Sequence, residues 1–410
     1  MNGRRVGRLS LAVSGAIRFK YSSDWLDWDH AIPVSLSLPL AEKTYAGAPV
    51  ANCFDNLLPD SPAAREHLAA EFGAEGTDAY HLLRIIGGDC VGALQFFEED
   101  KIPDPGTALD GETLSDVEIG AMLTDLPGAP LGLQRGDDFR IALPGLSDKT
   151  ALLKKDGQWI RPTAGTPTTH ILKTAFRELP GGVAFSDSVE NEFFCMRFFE
   201  AAGAQTARAE ICTFDGVRAL VIERFDRKWA RDGRLIRLPQ EDFCQALGLP
   251  REKKLERDGG PGLTDVLELL GASDRPAEDR RAFLRAQILF WLLGATNGHG
   301  KNFSLALLPG GRFRLTPLYD VVSMQPALHA GRLGRNDMRL AMSIGRDRET
   351  RIHQIAGPQF LESAKAAGVD VLMVEELLAQ ITERVPSALS QTMDALPGDF
   401  PRSLAETIAM

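Results

Sequence analysis

Val34, Leu36, Leu38 and Leu40 alternate with polar or small residues, the period of a half-buried strand. Residues 1–100 therefore read as a β-rich unit with one or two helices. One helix is predicted over 61–72, with Ser61 as its N-cap and Pro62 in its first turn. Residues 101–137 are rich in Pro, Gly and Asp and read as a connector, interrupted by a short apolar stretch at 117–126. Beyond it, 168–173 reads as a strand ending at a lysine. A helix over 188–202 follows, capped by Ser188, with apolar positions at Val189, Phe193, Met196 and Phe199 or Phe198. Two strand-like runs, 209–214 and 217–225, flank Asp215-Gly216, a two-residue hairpin signal. From Pro239 the pattern turns helical. Residues 281–295 are apolar on nearly every side and predict a central buried helix. A loop and a second hairpin-like pair follow (303–308 and 313–318), then helices from Ala364 onward. Strands followed by helices make the fold class α+β, an order able to enclose a cleft.

Composition changes this picture little. The 410 residues exceed one simple core and predict two or three structural units. An apolar content of 44% with 25% charged residues excludes a chain disordered throughout. Charge is more informative. The net value of −10 argues against autonomous nucleic-acid binding, although docking to a basic partner on DNA fits it. Five cysteines without a Cys-x-x-Cys pair argue against a disulfide framework or a zinc ribbon. The first residues lack the apolar core of a signal peptide, and no apolar run reaches a membrane span. The expected location is the cytoplasm.

The chemistry concentrates after the buried helix, in Gly294-Ala-Thr-Asn297-Gly-His299-Gly-Lys301-Asn302. Asp320 follows at the end of a strand-like run. Phosphoryl transfer needs a group that orients the attacking hydroxyl and oxygen ligands that hold Mg2+ against the phosphates. Positions 297, 302 and 320 repeat the order and spacing of base, metal amide and metal aspartate in protein kinases. Other parts lie upstream in the same order. Lys173 ends a strand and is placed to neutralise phosphates, and Glu192 on the next helix is its expected partner. Glu223-Arg-Phe225-Asp226 stands where a hinge would meet adenine and ribose. Gly145, Ser147 and Lys149 lie in a loop expected over the phosphates; its low glycine content makes that loop a weak signal by itself. A lone strand-end lysine is ordinarily a solvated residue, and Lys173 gains meaning only from Asn302 and Asp320.

At these residues the chain resembles the HipA family, the serine/threonine kinases of bacterial HipBA toxin–antitoxin modules. The matching segments are Phe54-Asp-Asn-Leu-Leu-Pro-Asp-Ser61, Asp89-Cys-Val-Gly-Ala-Leu94, Lys149-Thr-Ala-Leu-Leu153, Pro167-Thr-Thr-His-Ile171, Glu223-Arg-Phe-Asp-Arg227, the loop at 294–302, Leu315-Thr-Pro317 with Tyr319-Asp320, and Asp399-Phe-Pro401. The resemblance implies a HipA N-terminal β-rich domain at 1–100 and the connector at 101–137. It implies a kinase-like core with an N-lobe at 138–235 and a large helical C-lobe at 236–410. It assigns ATP phosphates to Lys173, the hinge to Glu223 and Phe225, Mg2+ to Asn302 and Asp320, and His299 to the catalytic loop. It further implies a HipB-type helix-turn-helix antitoxin, operator DNA reached through that antitoxin, and an aminoacyl-tRNA synthetase as substrate. Glutamyl-tRNA synthetase is the first guess. Growth arrest and persistence are the implied outcome.

Two departures stand out. The family's Thr-Asp-Gly-His is here Thr296-Asn297-Gly298-His299. An amide can hydrogen-bond a hydroxyl but cannot take its proton at neutral pH, and loss of a general base costs about 10²–10⁴ in rate. The chain therefore reads as an impaired kinase, or alternatively as a pseudokinase serving as co-repressor. Asn297 itself has three readings: a substitution that tames a toxic kinase, a natural pseudokinase feature, or an Asn-Gly pair that deamidates to aspartate. The second departure is Ala142, at the position where the family often carries an autophosphorylated serine.

Overall fold

The computed structural model describes residues 1–99, 109–136, 138–163, 165–179 and 183–410. It mixes helices with antiparallel sheets and divides into two compact units. The first comprises Met1–Thr174, Cys212–Arg251 and Ala306–Arg312; the second comprises Ala175–Ile211, Glu252–Leu305 and Phe313–Met410. No helix among the described residues is long and apolar enough to cross a membrane.

The first unit holds a small antiparallel sheet of Gly7–Leu11, Ile17–Tyr21 and Thr44–Ala46, with the helices Ala48–Asp55, Pro62–Phe72 and Ala79–Ile86. The helix expected over 61–72 forms, and the Ser61 hydroxyl accepts the Ala64 amide at 3.2 Å. The strand expected at 34–40 does not. Only an isolated bridge, Ser35 to Leu38, appears there. Side chains take the amides that a neighbouring strand would need. Val34 N–H donates to the Tyr21 hydroxyl at 2.9 Å, and Leu36 N–H donates to the buried Glu241 carboxyl at 2.8 Å.

A larger sheet has the order Ala209–Phe214, Val217–Glu223, His170–Lys173, Lys149–Lys155, Gln158–Pro162, Gly111–Leu114; all of it except residues 209–211 belongs to the first unit. Alternate residues serve its two faces. Ala151 and Ile171 join the core of the small sheet and its helices, with Phe19, Phe54 and Ile141; Leu152 and Leu172 face Ile119, Leu123 and Phe214. Asp215 and Gly216 take φ of 45° and 82°, the hairpin turn their sequence predicts. Of the expected connector, 101–108 and 137 lie outside the described residues. Its described part contains the edge strand Gly111–Leu114 and the helix Asp116–Asp125, started by a reciprocal Ser115–Glu118 capping box.

The second unit is mainly helical. Pro276–Leu292 is the expected buried helix, displaced toward the N-terminus; Gly294 beyond it takes φ 61°. The helix Ser188–Ala201 packs in this unit against Val371–Asp394 and Arg402–Ile408. Phe193, Phe194, Phe198 and Phe199 of this helix are all buried in the core, and Phe199 meets Phe290 with ring centroids 5.3 Å apart. Ser188 is not the cap. Asp187 occupies that position, and the Ser188 hydroxyl instead accepts the Phe176 amide at 2.7 Å. The predicted later pair forms as the shorter strands Ser304–Leu307 and Phe313–Leu315. A hairpin of Arg339–Ile344 and Glu349–Arg351 carries no signal that was read from the sequence.

An ionic cluster within the first unit supports the segment that follows Val217–Glu223. The Asp89 carboxylate meets Arg227 at 2.9 Å, Arg237 at 2.8 Å and Arg224 at 3.3 Å. Asp226 meets Arg224 at 2.8 Å and Arg227 at 2.9 Å and accepts the Gly92 amide at 2.7 Å. All five side chains are buried. Burial opposes ionisation of Asp89, but Arg227, Arg237 and Arg224 overcome it and hold the carboxyl far below the usual carboxylate range.

Asp89→Asn is expected to lower stability by about 3–5 kcal/mol, because it strands buried guanidiniums. A depressed carboxyl stabilises above its unfolded value of about 3.9 and ceases to do so as pH falls through its folded value. Urea midpoints of the two chains should therefore differ at neutral pH and converge toward strong acid.

Candidate active site

Within the second unit, the helix Pro276–Leu292 delivers the chain to Asn297, and the Phe313–Leu315 strand leads to Asp320. Ala295 and Ser323 bridge the two segments. The Ser323 hydroxyl donates to the Leu293 carbonyl at 2.6 Å, and Asn191 grips Ser323 by accepting its amide at 2.8 Å and donating to its carbonyl at 2.9 Å. Asn191 was missed in the sequence; it adjoins the expected Glu192 and has no motif of its own. Glu192 is buried on the same helix, at 3% exposure, and is no solvated helical glutamate.

Asp320 has φ 59°, a conformation that costs a non-glycine residue about 1–2 kcal/mol. Two side-chain amides converge on it. Asn297 Nδ2 donates to its carbonyl at 2.6 Å. Asn302 Nδ2 donates to the same carbonyl and to carboxylate Oδ2, both at 2.9 Å. Backbone strain offset by converging side chains is common at functional sites. His299 braces the loop: its amide donates to the Asn297 carbonyl at 2.8 Å, and its Nδ1 accepts the Lys301 amide at 3.3 Å. Tyr319 hydroxyl donates to the Lys301 carbonyl at 3.0 Å, tying the two segments again.

Asn302 is 1% exposed, and its Oδ1 is buried without a hydrogen-bond partner. An orphaned amide oxygen beside a carboxylate suits a hard cation. The described residues contain no group of three or more His, Cys, Asp or Glu able to hold a metal. One carboxylate and one amide oxygen, completed by phosphate oxygens and water, is a normal Mg2+ environment.

The remaining predicted residues lie in the first unit. Lys173 ends its strand at 8% exposure, in register with Lys149 and Leu220. Lys149 Nζ donates to the Pro144 carbonyl at 2.5 Å, so the structure shows it anchoring the loop at 144–147. Gly145 there takes φ 103°, and a Cβ would stand 2.5 Å from Lys149 Nζ. Its carbonyl accepts the Asp60 amide at 3.1 Å, while Ser147 is partly exposed. Glu223 is exposed and Phe225 half-buried. Asp226 requires correction: with both oxygens engaged by Arg224, Arg227 and the Gly92 amide, it braces the segment and is not open to a ribose. Ala142 is fully buried in the core, its amide donating to the Asp89 carbonyl at 3.1 Å.

The α+β architecture is that of a kinase-like fold. Residues 141–389 match the HipA-like C-terminal domain and residues 1–97 the HipA N-terminal domain, so the chain belongs to the HipA-like serine/threonine kinase toxin family. It is 34% identical over 399 residues to the putative kinase Y4mE of Sinorhizobium fredii, covering 96% of this chain and 90% of the relative. It is 27% identical over 405 residues to the serine/threonine-protein kinase toxin HipA of Shewanella oneidensis, covering 96% and 88%. A solved complex of Shewanella oneidensis HipA, HipB and operator DNA contains a chain of the same fold, with TM-score 0.80 and 24% identity over 98% of this chain and 92% of that one.

Asn302→Leu removes both the donor pair and the orphaned oxygen at nearly constant volume. Magnesium should then raise the melting midpoint of the ATP-treated chain no further than ATP alone does. A midpoint that still climbs with magnesium denies Asn302 a metal role.

Proposed function

We propose that this chain is a HipA-type protein serine/threonine kinase that transfers the γ-phosphate of ATP to a serine of a translation component. An aminoacyl-tRNA synthetase is the substrate class, with glutamyl-tRNA synthetase first. Growth arrest is the consequence, a HipB-type helix-turn-helix antitoxin the neutralising partner, and the cytoplasm the place of action. The observation that carries this reading is the Asn302–Asp320 pair, with its orphaned oxygen and its strained aspartate. Lys173 neutralises phosphate charge, and the segment around Glu223 and Phe225 receives the adenine. Asn302 and Asp320 would hold Mg2+, whose positive charge would offset the negative charge that develops on the phosphates in transfer. Asn297 can accept no proton from the substrate hydroxyl, so transfer by this chain is slow.

Asn297→Asp at saturating magnesium should raise transfer of labelled phosphate by about 10²–10⁴, the usual contribution of a general base. If that variant binds Mg-ATP yet labels neither itself nor any protein of a lysate, the kinase reading is wrong.

A second reading rests on the engagement of both polar groups of Asn297 with backbone. It makes the chain a pseudokinase that completes a repressor complex through a basic antitoxin, in keeping with its net charge of −10. Operator DNA should then shift further in a gel with chain and antitoxin together than with antitoxin alone.

A further inference from the structure

Asn297 does more than lack a base's proton affinity. Its Nδ2 donates to the Asp320 carbonyl at 2.6 Å, and its Oδ1 accepts the Val322 amide at 3.3 Å. These contacts grip the chain on either side of Val321, which is fully buried. The grip requires a donor and an acceptor on one planar fork, which an amide has and an ionised carboxylate lacks. Aspartate at this position in the same rotamer would set an oxygen where Nδ2 now stands, against the carbonyl oxygen of Asp320.

The gripped residue is the one that needs holding. Asp320 has φ 59°, and its carboxylate faces Asn302 Nδ2 at 2.9 Å. The orphaned Asn302 Oδ1 lies on that same amide. Movement of the 320–322 backbone therefore displaces one of the two oxygen donors expected to share a cation.

We propose that Asn297 is a positioning residue, an amide latch that sets the magnesium affinity of the Asn302–Asp320 pair by fixing the backbone of Asp320 and Val322. The inference rests on the kinase reading only in taking that pair as the metal site. It differs in treating Asn297 as suited to its place, where a disabled base would be a loss. Metal affinity and the rate at saturating metal are separate quantities, so aspartate here raises the second while lowering the first.

The experiment is calorimetric titration of the full chain with ATP, in EDTA and in saturating magnesium, for the unsubstituted protein, Asn297→Ala and Asn297→Asp. The readout is the ratio of the two dissociation constants. Loss of a residue that orients a metal ligand ordinarily costs 10- to 100-fold in metal affinity. The magnesium-dependent gain should fall by about tenfold or more in Asn297→Ala, with ATP binding in EDTA unchanged. It should fall at least as far in Asn297→Asp, whose ionised oxygen repels the Asp320 carbonyl. A gain equal in all three chains, or larger in Asn297→Asp, overturns the latch. Melting curves accompany each titration. Should the alanine chain fail to fold, the near-isosteric aspartate chain decides the matter by itself. If the unsubstituted chain takes up no ATP with or without magnesium, the kinase reading fails. ATP uptake strengthened by magnesium, with no dependence on position 297, fails only the latch.

Discussion

The first unit depends on one buried carboxylate. Asp89 stands among Arg224, Arg227 and Arg237, and it also accepts the Thr168 amide at 3.0 Å and hydroxyl at 2.8 Å. The cluster joins four stretches distant in sequence: the turn after the N-terminal helices, the entry to the strand that carries Lys173, the segment beyond Glu223, and the hairpin at Arg237. Three guanidiniums and two carboxylates leave one net positive charge away from water. Such a group is strongly coupled: its members satisfy one another through many charge-assisted contacts, and loss of either carboxylate strands guanidinium charge in low dielectric.

The second unit is organised on a smaller scale around a single carbonyl. Asp320 O receives two side-chain amides, and Asp320 takes a backbone conformation that L-residues avoid. The buried Asn191–Ser323 pair and the Tyr319–Lys301 contact hold the flanks of the same segment. The result is a rigid presentation of one carboxylate and one amide oxygen. Under the proposed kinase reading such rigidity would count, since a small, strongly hydrated cation demands near-ideal oxygen geometry.

Much of this was legible because its causes are local. Ser61 with Pro62 and Asp215-Gly216 act through a few bonds of chain and formed as read. The order Asn297, Asn302, Asp320 was legible as chemistry because their spacing is a property of the chain itself. The failures share another cause. The alternation at 34–40 has a strand's period, but Tyr21 and Glu241 claim the amides it would need. Ser188 looks like a cap until the Phe176 amide takes its hydroxyl. Asp226 looks like a hinge ligand until Arg224 and Arg227 close on it.

Alone, the sequence determined the fold class, the kinase-like order of its chemical groups and the family, since hydrophobic period, turn chemistry and motif spacing are carried by neighbouring residues. Only the tertiary structure decided which polar groups were already committed. A hydrogen bond or ion pair between residues a hundred positions apart leaves no periodic trace, and its energy exists only once burial has removed water as the competing partner. For that reason Asn297 could be recognised in the chain as the wrong residue for a base, and recognised as a latch only where Asp320 and Val322 meet it.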